Sequence, residues 1–296
     1  MKVGIQIPNF TYPGGDPAIA PKLKEIVTTI DKGGFSSLWV MDHFYQIQDL
    51  FGLDHDAAML EAYSALNFFA GITENVDLGS LVTGVIYRNP AFLIKQVTSL
   101  DVLSQGRAYL GIGAAWYKEE AEGYGFQFPP LKTRFEMLEE ALQISHQMWS
   151  DKDDAYLGTH YSLGSTLNSP KSISKPHPKI MIGGMGEKKT LHLVAKYANA
   201  TNLFARAGID VLKHKLRVLQ THCENLNRDY NEIEKTTLGT VKLMPSEQSP
   251  QDVIKHIREL ADIGINQVIF NLPNINEITP IETLRDEVLP EIKSLL

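Results

Sequence analysis

The 296-residue chain holds one cysteine, Cys223. A single thiol excludes an internal disulfide framework and a thiolate metal site, and it suits a reducing compartment. No apolar run approaches the roughly 20 residues needed to span a bilayer. The first residues, Lys2-Val3-Gly4-Ile5-Gln6-Ile7, follow a strand pattern and lack the features of a signal peptide. The expected location is the cytoplasm, away from membranes. Basic residues are in deficit, 28 against 35 acidic ones, for a net charge of -7. No basic stripe is present, so nucleic acid is not an expected partner. Walker and dinucleotide glycine patterns are missing, as is a Gly-x-Ser-x-Gly elbow. The nine histidines contain no His-x-x-x-His pair with a glutamate, so no metal site is expected.

What is present is an alternation. Strand patterns fall at 3–7, 37–40, 77–83, 107–112, 179–182, 200–204, 237–243 and 266–272. Helical patterns lie between most of them, at 18–32, 57–72, 91–103, 135–149, 209–226, 250–263 and 281–295. Strands that alternate with helices imply a parallel sheet with crossover connections. Several of these strands are apolar throughout, as when both faces are covered. Eight such units predict an α/β fold, a (β/α)8 TIM barrel, which takes about 250 residues. The excess falls after strand 2, at 42–53, and before strand 5, at 151–177, where a hairpin and loop are expected. A doubly wound sheet is the competing fold. It requires a glycine-rich turn after the first strand, and Pro8-Asn9-Phe10 is not one. The chain reads as one domain, 1–296.

In such barrels the active site lies at the C-terminal ends of the strands. Asp42-His43 follows the second strand. A histidine gives or takes a proton near neutral pH, and an aspartate beside it can bond a ligand ring or a backbone amide. Gly111-Ile112-Gly113 ends the fourth strand, where small residues admit a flat ring and Trp116 can stack on it. Strand 179–182 runs into Gly183-Gly184-Met185-Gly186 and then a helical run, 187–196. Glycines allow a sharp turn and close approach of a ligand, and the helix start offers free N–H donors to a phosphate. Arg88-Asn89-Pro90 reads as a helix start. Glu119, Glu120 and Glu122 read as a solvated helix face, and Cys223 as a buried structural thiol.

Taken in order, these stretches resemble the bacterial luciferase-like monooxygenase superfamily, in its coenzyme F420-dependent oxidoreductase branch. The marks are Ser37-Leu38-Trp39-Val40-Met41-Asp42-His43-Phe44, Leu78-Gly79-Ser80-Leu81-Val82-Thr83 and Tyr87-Arg88-Asn89-Pro90. They continue through Leu100 to Arg107, Leu110-Gly111-Ile112-Gly113-Ala114-Ala115-Trp116 and Pro176 to Gly184. The resemblance implies a barrel, often dimeric, with a flavin-type ring at its mouth. It implies a non-proline cis peptide under the ring, by position Leu81-Val82. It places the cofactor phosphate on Gly183 to Gly186 and His43 near the reacting face. Cofactor contacts are then expected from Asp42, Leu81, Val82, Thr83, Gly113, Ala114, Trp116, Gly183, Gly184, Met185 and Gly186. His43 and Asp42 are the catalytic candidates.

The implied function is hydride transfer between reduced F420 and a small organic substrate. An FMN-dependent monooxygenase and a non-catalytic flavin-binding barrel are the alternatives. Some deazaflavin dehydrogenases of this family carry a proton-handling glutamate after the fourth strand; Trp116 is read in that region here, so that role is not transferred.

Overall fold

The computed structural model describes residues 1–47, 53–244 and 246–295. The candidate loop 42–53 therefore lies partly outside the described residues.

Eight parallel barrel strands close on themselves. The first is β1 (Lys2–Ile7), flanked by β2 (Ser37–Val40) and the last strand, Gln267–Asn271. Around the barrel, β2 pairs with β3 (Asp77–Ser80), which pairs with β5 (Ala108–Gly113). The third barrel strand resumes as β4 (Thr83–Gly84), also against β5. The register then runs through β8 (Lys179–Gly183), β9 (Ala200–Phe204), β10 (Glu234–Thr240) and β11 (Gln267–Asn271). Every one of these pairs is parallel, as the alternation predicts.

The interruption between β3 and β4 is where sequence and structure part most usefully. One continuous strand was expected over 77–83. Instead the Leu81–Val82 peptide is cis, the bond the resemblance implied. The neighbouring strand accommodates it with glycine. A Cβ on Gly111 would stand 1.8 Å from the Ser80 carbonyl oxygen, and one on Gly113 would stand 3.0 Å from Val82. A side chain at Gly111 would collide with backbone, and one at Gly113 would require Val82 to give way.

The helices form where caps and apolar faces agree. Asn89 caps Pro90–Leu103, its side chain accepting from the Ala91 N–H. Ser249 and Asp252 form a capping box at the start of Pro250–Asp262. The expected helix 57–72 shrinks to Ala62–Ala70, because Glu61 caps it by accepting from the Ser64 N–H. The closing helix is broken by a π turn over Leu284–Val288. The insertion before β8 does contain a hairpin, β6 (Tyr156–Leu157) against β7 (Ser162–Leu163). Glu140 pins its turn by accepting from the N–H groups of Thr159, His160 and Tyr161. Cys223 is buried on the apolar face of Ile209–Asn225. Among the described residues no helix is long and apolar enough to cross a membrane.

Candidate active site

The C-terminal ends of the strands surround a cavity of about 870 Å³. Its wall brings together Asp42 and His43 after β2, Leu81, Val82 and Thr83 at the strand break, and Gly113, Ala114 and Trp116 after β5. Gly183 and Gly184 complete it from β8. Met185 and Gly186 lie outside that wall. The Met185 sulfur accepts from the Phe204 N–H, and Gly186 gives its carbonyl to the Leu191 N–H. The helix after this turn begins at Thr190, so 187–189 are turn rather than helix. Gly184 has φ +117°, a conformation that glycine adopts without steric cost.

Asp42 is fully buried, and its carboxylate is already engaged. Arg88 donates to it through two nitrogens, at 2.7 and 2.9 Å, and the Gly84 N–H adds a third contact at 3.3 Å. A parallel two-point pair of this kind is among the stronger polar contacts and fixes orientation as well. Burial pushes the Asp42 carboxyl above its ordinary value, and Arg88 works against that rise. Burial likewise opposes the Arg88 charge, but Asp42 outweighs it, leaving the guanidinium above its ordinary value. Arg88 also donates to Glu61 at 2.5 Å and lies over the Tyr63 ring. The helix-start reading of Arg88-Asn89-Pro90 holds for Asn89 and Pro90. For Arg88 it is incomplete: this residue holds the buried aspartate of the mouth.

Glu120 is the larger correction. It was expected on a solvated face with Glu119 and Glu122, yet it is 0% exposed. Its carboxylate accepts from His43 Nδ1 at 3.0 Å, Phe44 N at 2.6 Å, Tyr45 N at 3.0 Å and the Tyr87 hydroxyl at 2.5 Å. The physical reason is local. The helix Lys118–Gly123 is short, and it lies with Glu120 and Ala121 turned inward while Glu119 and Glu122 stay outside. Burial pushes the Glu120 carboxyl up. His43, Tyr87 and the backbone donors outweigh burial, so it titrates below its ordinary value.

This pairing determines the histidine. An ionised carboxylate only accepts, so Nδ1 of His43 carries the hydrogen that bonds Glu120. The other nitrogen, Nε2, is left for whatever enters the cavity. Trp116 and Tyr117 flank the imidazole edge-on, with ring centroids 5.6 and 5.9 Å away. Trp116 is 58% exposed and stacks on Tyr117, so it is a rim residue and not a core one.

Two further wall residues have no role in the sequence reading: Gln6, inside the first strand, and Asn271, which stands among the strand-end positions. Gln6 donates its amide nitrogen to the carbonyl of Leu81, in the cis peptide, at 3.1 Å. That fixes the amide's orientation and leaves Gln6 Oε1 buried without a partner. Asn271, its register neighbour across β1 and β11, has an equally unpartnered Oδ1. Buried polar atoms are normally bonded, so two orphans on one cavity wall mark a place for ligand donors. A planar, polar-edged ring fits these observations: glycines where it must lie close, acceptors at its edge and a glycine turn for its phosphate.

Glu120→Gln tests the network through acid stability. The folded value of Glu120 is lowered, so its contribution is fully present above about pH 4.5 and is lost as pH falls through that lowered value. The variant is expected to lose about 1.5–3 kcal/mol at neutral pH, the usual worth of a hydrogen bond to a charged group. The gap to the parent should close on the acid side of pH 4.5, as followed by denaturant unfolding at both pH values. An equal gap at both would remove the charge from the explanation.

The barrel gathers an ion-paired aspartate, an oriented histidine and a glycine turn around one cavity. Residues 1–262 match the family described as luciferase-like monooxygenase, and the chain belongs to that family. It is an oxidoreductase of the flavin and deazaflavin type. Among its relatives is the F420-dependent glucose-6-phosphate dehydrogenase of Kineococcus radiotolerans. That protein is 31% identical over 261 residues, covering 86% of this chain and 73% of the relative. Solved structures share the fold. An F420-dependent secondary alcohol dehydrogenase, in complex with an F420-acetone adduct, superposes with a TM-score of 0.81 at 19% identity, covering 99% of this chain and 100% of that one. The monooxygenase RslO1 from Streptomyces bottropensis gives 0.82 at 15% identity, covering 98% and 99%.

Proposed function

We propose that the protein moves a hydride between coenzyme F420 and a small organic substrate carrying a carbonyl or hydroxyl group. The observation that carries this reading is the His43–Glu120 pair, which leaves one oriented imidazole nitrogen at the cavity wall. The F420-dependent relative at 31% identity supports F420 over FMN. When bound, a reduced deazaflavin supplies the hydride. The chain's own residues do the rest. Gly183 and Gly184 receive the phosphate, Leu81 and Val82 form the floor, and Gln6 and Asn271 accept from the ring edge. Asp42, held by Arg88, keeps the floor and the Gly84 backbone in place. His43 Nε2 gives a proton to the substrate oxygen as negative charge develops there, and takes it back in the oxidative direction. Glu120 holds the imidazole through Nδ1 and stabilises it when it is charged. The rim of Trp116 and Tyr117 limits access of water.

Anaerobic assays with reduced F420 and a panel of short ketones and aldehydes test this reading. Oxidation of F420 that depends on the added carbonyl supports it. Turnover seen only with reduced FMN and oxygen would instead assign the FMN monooxygenase alternative, whose phosphate suits the same turn.

The turn makes its own prediction. Gly184→Asp puts a carboxylate where the phosphate belongs and forces a side chain into φ +117°. F420 affinity should fall at least tenfold in the folded variant, measured by fluorescence quenching. Unchanged affinity would make the turn purely structural. We also propose a cytoplasmic, single-domain protein that pairs as a homodimer. Phe92 and Leu103, both exposed on the helix Pro90–Leu103, offer an apolar face for a second copy. Light scattering is expected to return twice the chain mass.

A further inference from the structure

Arg134 is a buried cation that the proposed chemistry does not use. It stands near the start of the helix Leu131–Trp149 and is 7% exposed. Among the described residues no carboxylate pairs with it. Its guanidinium lies 4.0 Å from the Phe128 ring centre and gives its hydrogens to backbone. Nε donates to the Pro129 carbonyl at 3.1 Å. Nη1 donates to the carbonyls of Ala114, at 3.0 Å, and Ala115. Among the described residues no backbone N–H donates to either alanine carbonyl. Backbone carbonyls away from water need a donor, and Arg134 supplies it to both.

The two alanines stand where β5 runs out into the mouth. Gly113, Ala114 and Ala115 line the cavity, Trp116 and Tyr117 form its rim, and the helix that carries Glu120 begins at Lys118. The chain bends there through Ala115, whose φ is +60°. That left-handed conformation crowds Cβ against the backbone, so residues other than glycine hold it only where their surroundings impose it. Here the carbonyls of Ala114 and Ala115 are both tied to one guanidinium, whose planar fork reaches several acceptors at once.

We infer that Arg134 is a positioning residue for the cofactor wall. Its fork holds the bend at Ala115, which keeps Gly113 and Ala114 against the ring and Trp116 beside His43. The effect on a cofactor rests on the redox reading of the mouth; the effect on Trp116 does not.

Two titrations of folded protein test this, one with F420 and one with acrylamide. Of the three tryptophans, Trp39 and Trp149 are buried and Trp116 is exposed, so acrylamide quenching of tryptophan fluorescence reports on Trp116. Arg134→Met should weaken F420 binding roughly ten- to hundredfold, the range seen when the support of a binding group is removed. It should also raise the quenching, as Trp116 leaves its place beside His43 and Tyr117. Ala115→Gly in the same chain should recover much of both changes, because glycine holds a positive φ without a clamp. Arg134→Lys keeps the charge and loses the fork. It should show smaller changes of the same kind, and it replaces Arg134→Met if that variant does not fold. Unchanged F420 affinity together with unchanged quenching would overturn the inference. So would changes that Ala115→Gly leaves in place, which would give Arg134 a packing role alone. Raised quenching with unchanged F420 affinity would confine Arg134 to the rim and overturn its role toward the cofactor. If the parent binds neither F420 nor FMN while Ala115→Gly still reverses the change at Trp116, the positioning of the rim stands and the redox reading of the mouth fails.

Discussion

Arg88→Ala is expected to destabilise the fold by about 3–5 kcal/mol, the range for breaking one side of a buried ion pair. The reason lies in what remains. The Asp42 side chain has 0% exposure and Arg88 only 8%, so the aspartate cannot recover its lost partner from water. The Gly84 N–H, at 3.3 Å, remains as a donor to it. Glu61 also loses its contact with the guanidinium. Burial already pushes the Asp42 carboxyl up, so without Arg88 it should take a proton instead of staying charged. A folded value raised above the unfolded one costs stability at neutral pH and restores it as pH falls through the folded value. The deficit of Arg88→Ala should therefore shrink on acidification, and Asp42→Asn in the same chain should recover part of it. Denaturant midpoints with an unchanged slope measure this. A loss below about 1 kcal/mol would put the pair in the class of exposed surface bridges and remove its structural role.

The second large effect is on rate. His43→Ala is expected to lower turnover about 10²–10⁴-fold, the usual worth of a positioned proton donor or acceptor. The fold should survive, because the histidine sits at the cavity wall and its removal leaves Glu120 with Phe44, Tyr45 and Tyr87 as donors. Cofactor affinity should also survive, since the floor and the glycine turn are untouched. Loss of cofactor binding with turnover per bound site retained would make His43 a binding residue. No change in either would leave the proton to water.

Much of the barrel was legible because its signals are short-range. Ser37–Val40 and Ala200–Phe204 are apolar runs between helical patterns, and they appear with the expected bounds. The glycine turn and Asp42-His43 were found by the rule that barrel sites follow strands. What escaped depends on distance. Glu120 lies on a six-residue helix, too short for a periodic stripe, and its inward turn is set by contacts with His43 and Tyr87 far away in the chain. Arg88 gave a correct local signal as a helix start, and its contact with Asp42 spans 46 positions. Gln6 and Asn271 become neighbours only when the first and last strands pair and close the barrel. The break in the third strand has no propensity signature at Leu81 or Val82; it was reached through the resemblance.

In the proposed function the mouth of the barrel binds a deazaflavin at the glycine turn and above the Leu81–Val82 peptide. The most direct measurement is a fluorescence titration of the purified protein with F420 and, separately, with FMN, repeated on folded Gly184→Asp. The expected result is saturable binding of F420 to one site per chain, tighter than that of FMN and weakened at least tenfold by the substitution. Binding of neither compound to the parent would contradict the account, as would F420 binding that Gly184→Asp leaves unchanged.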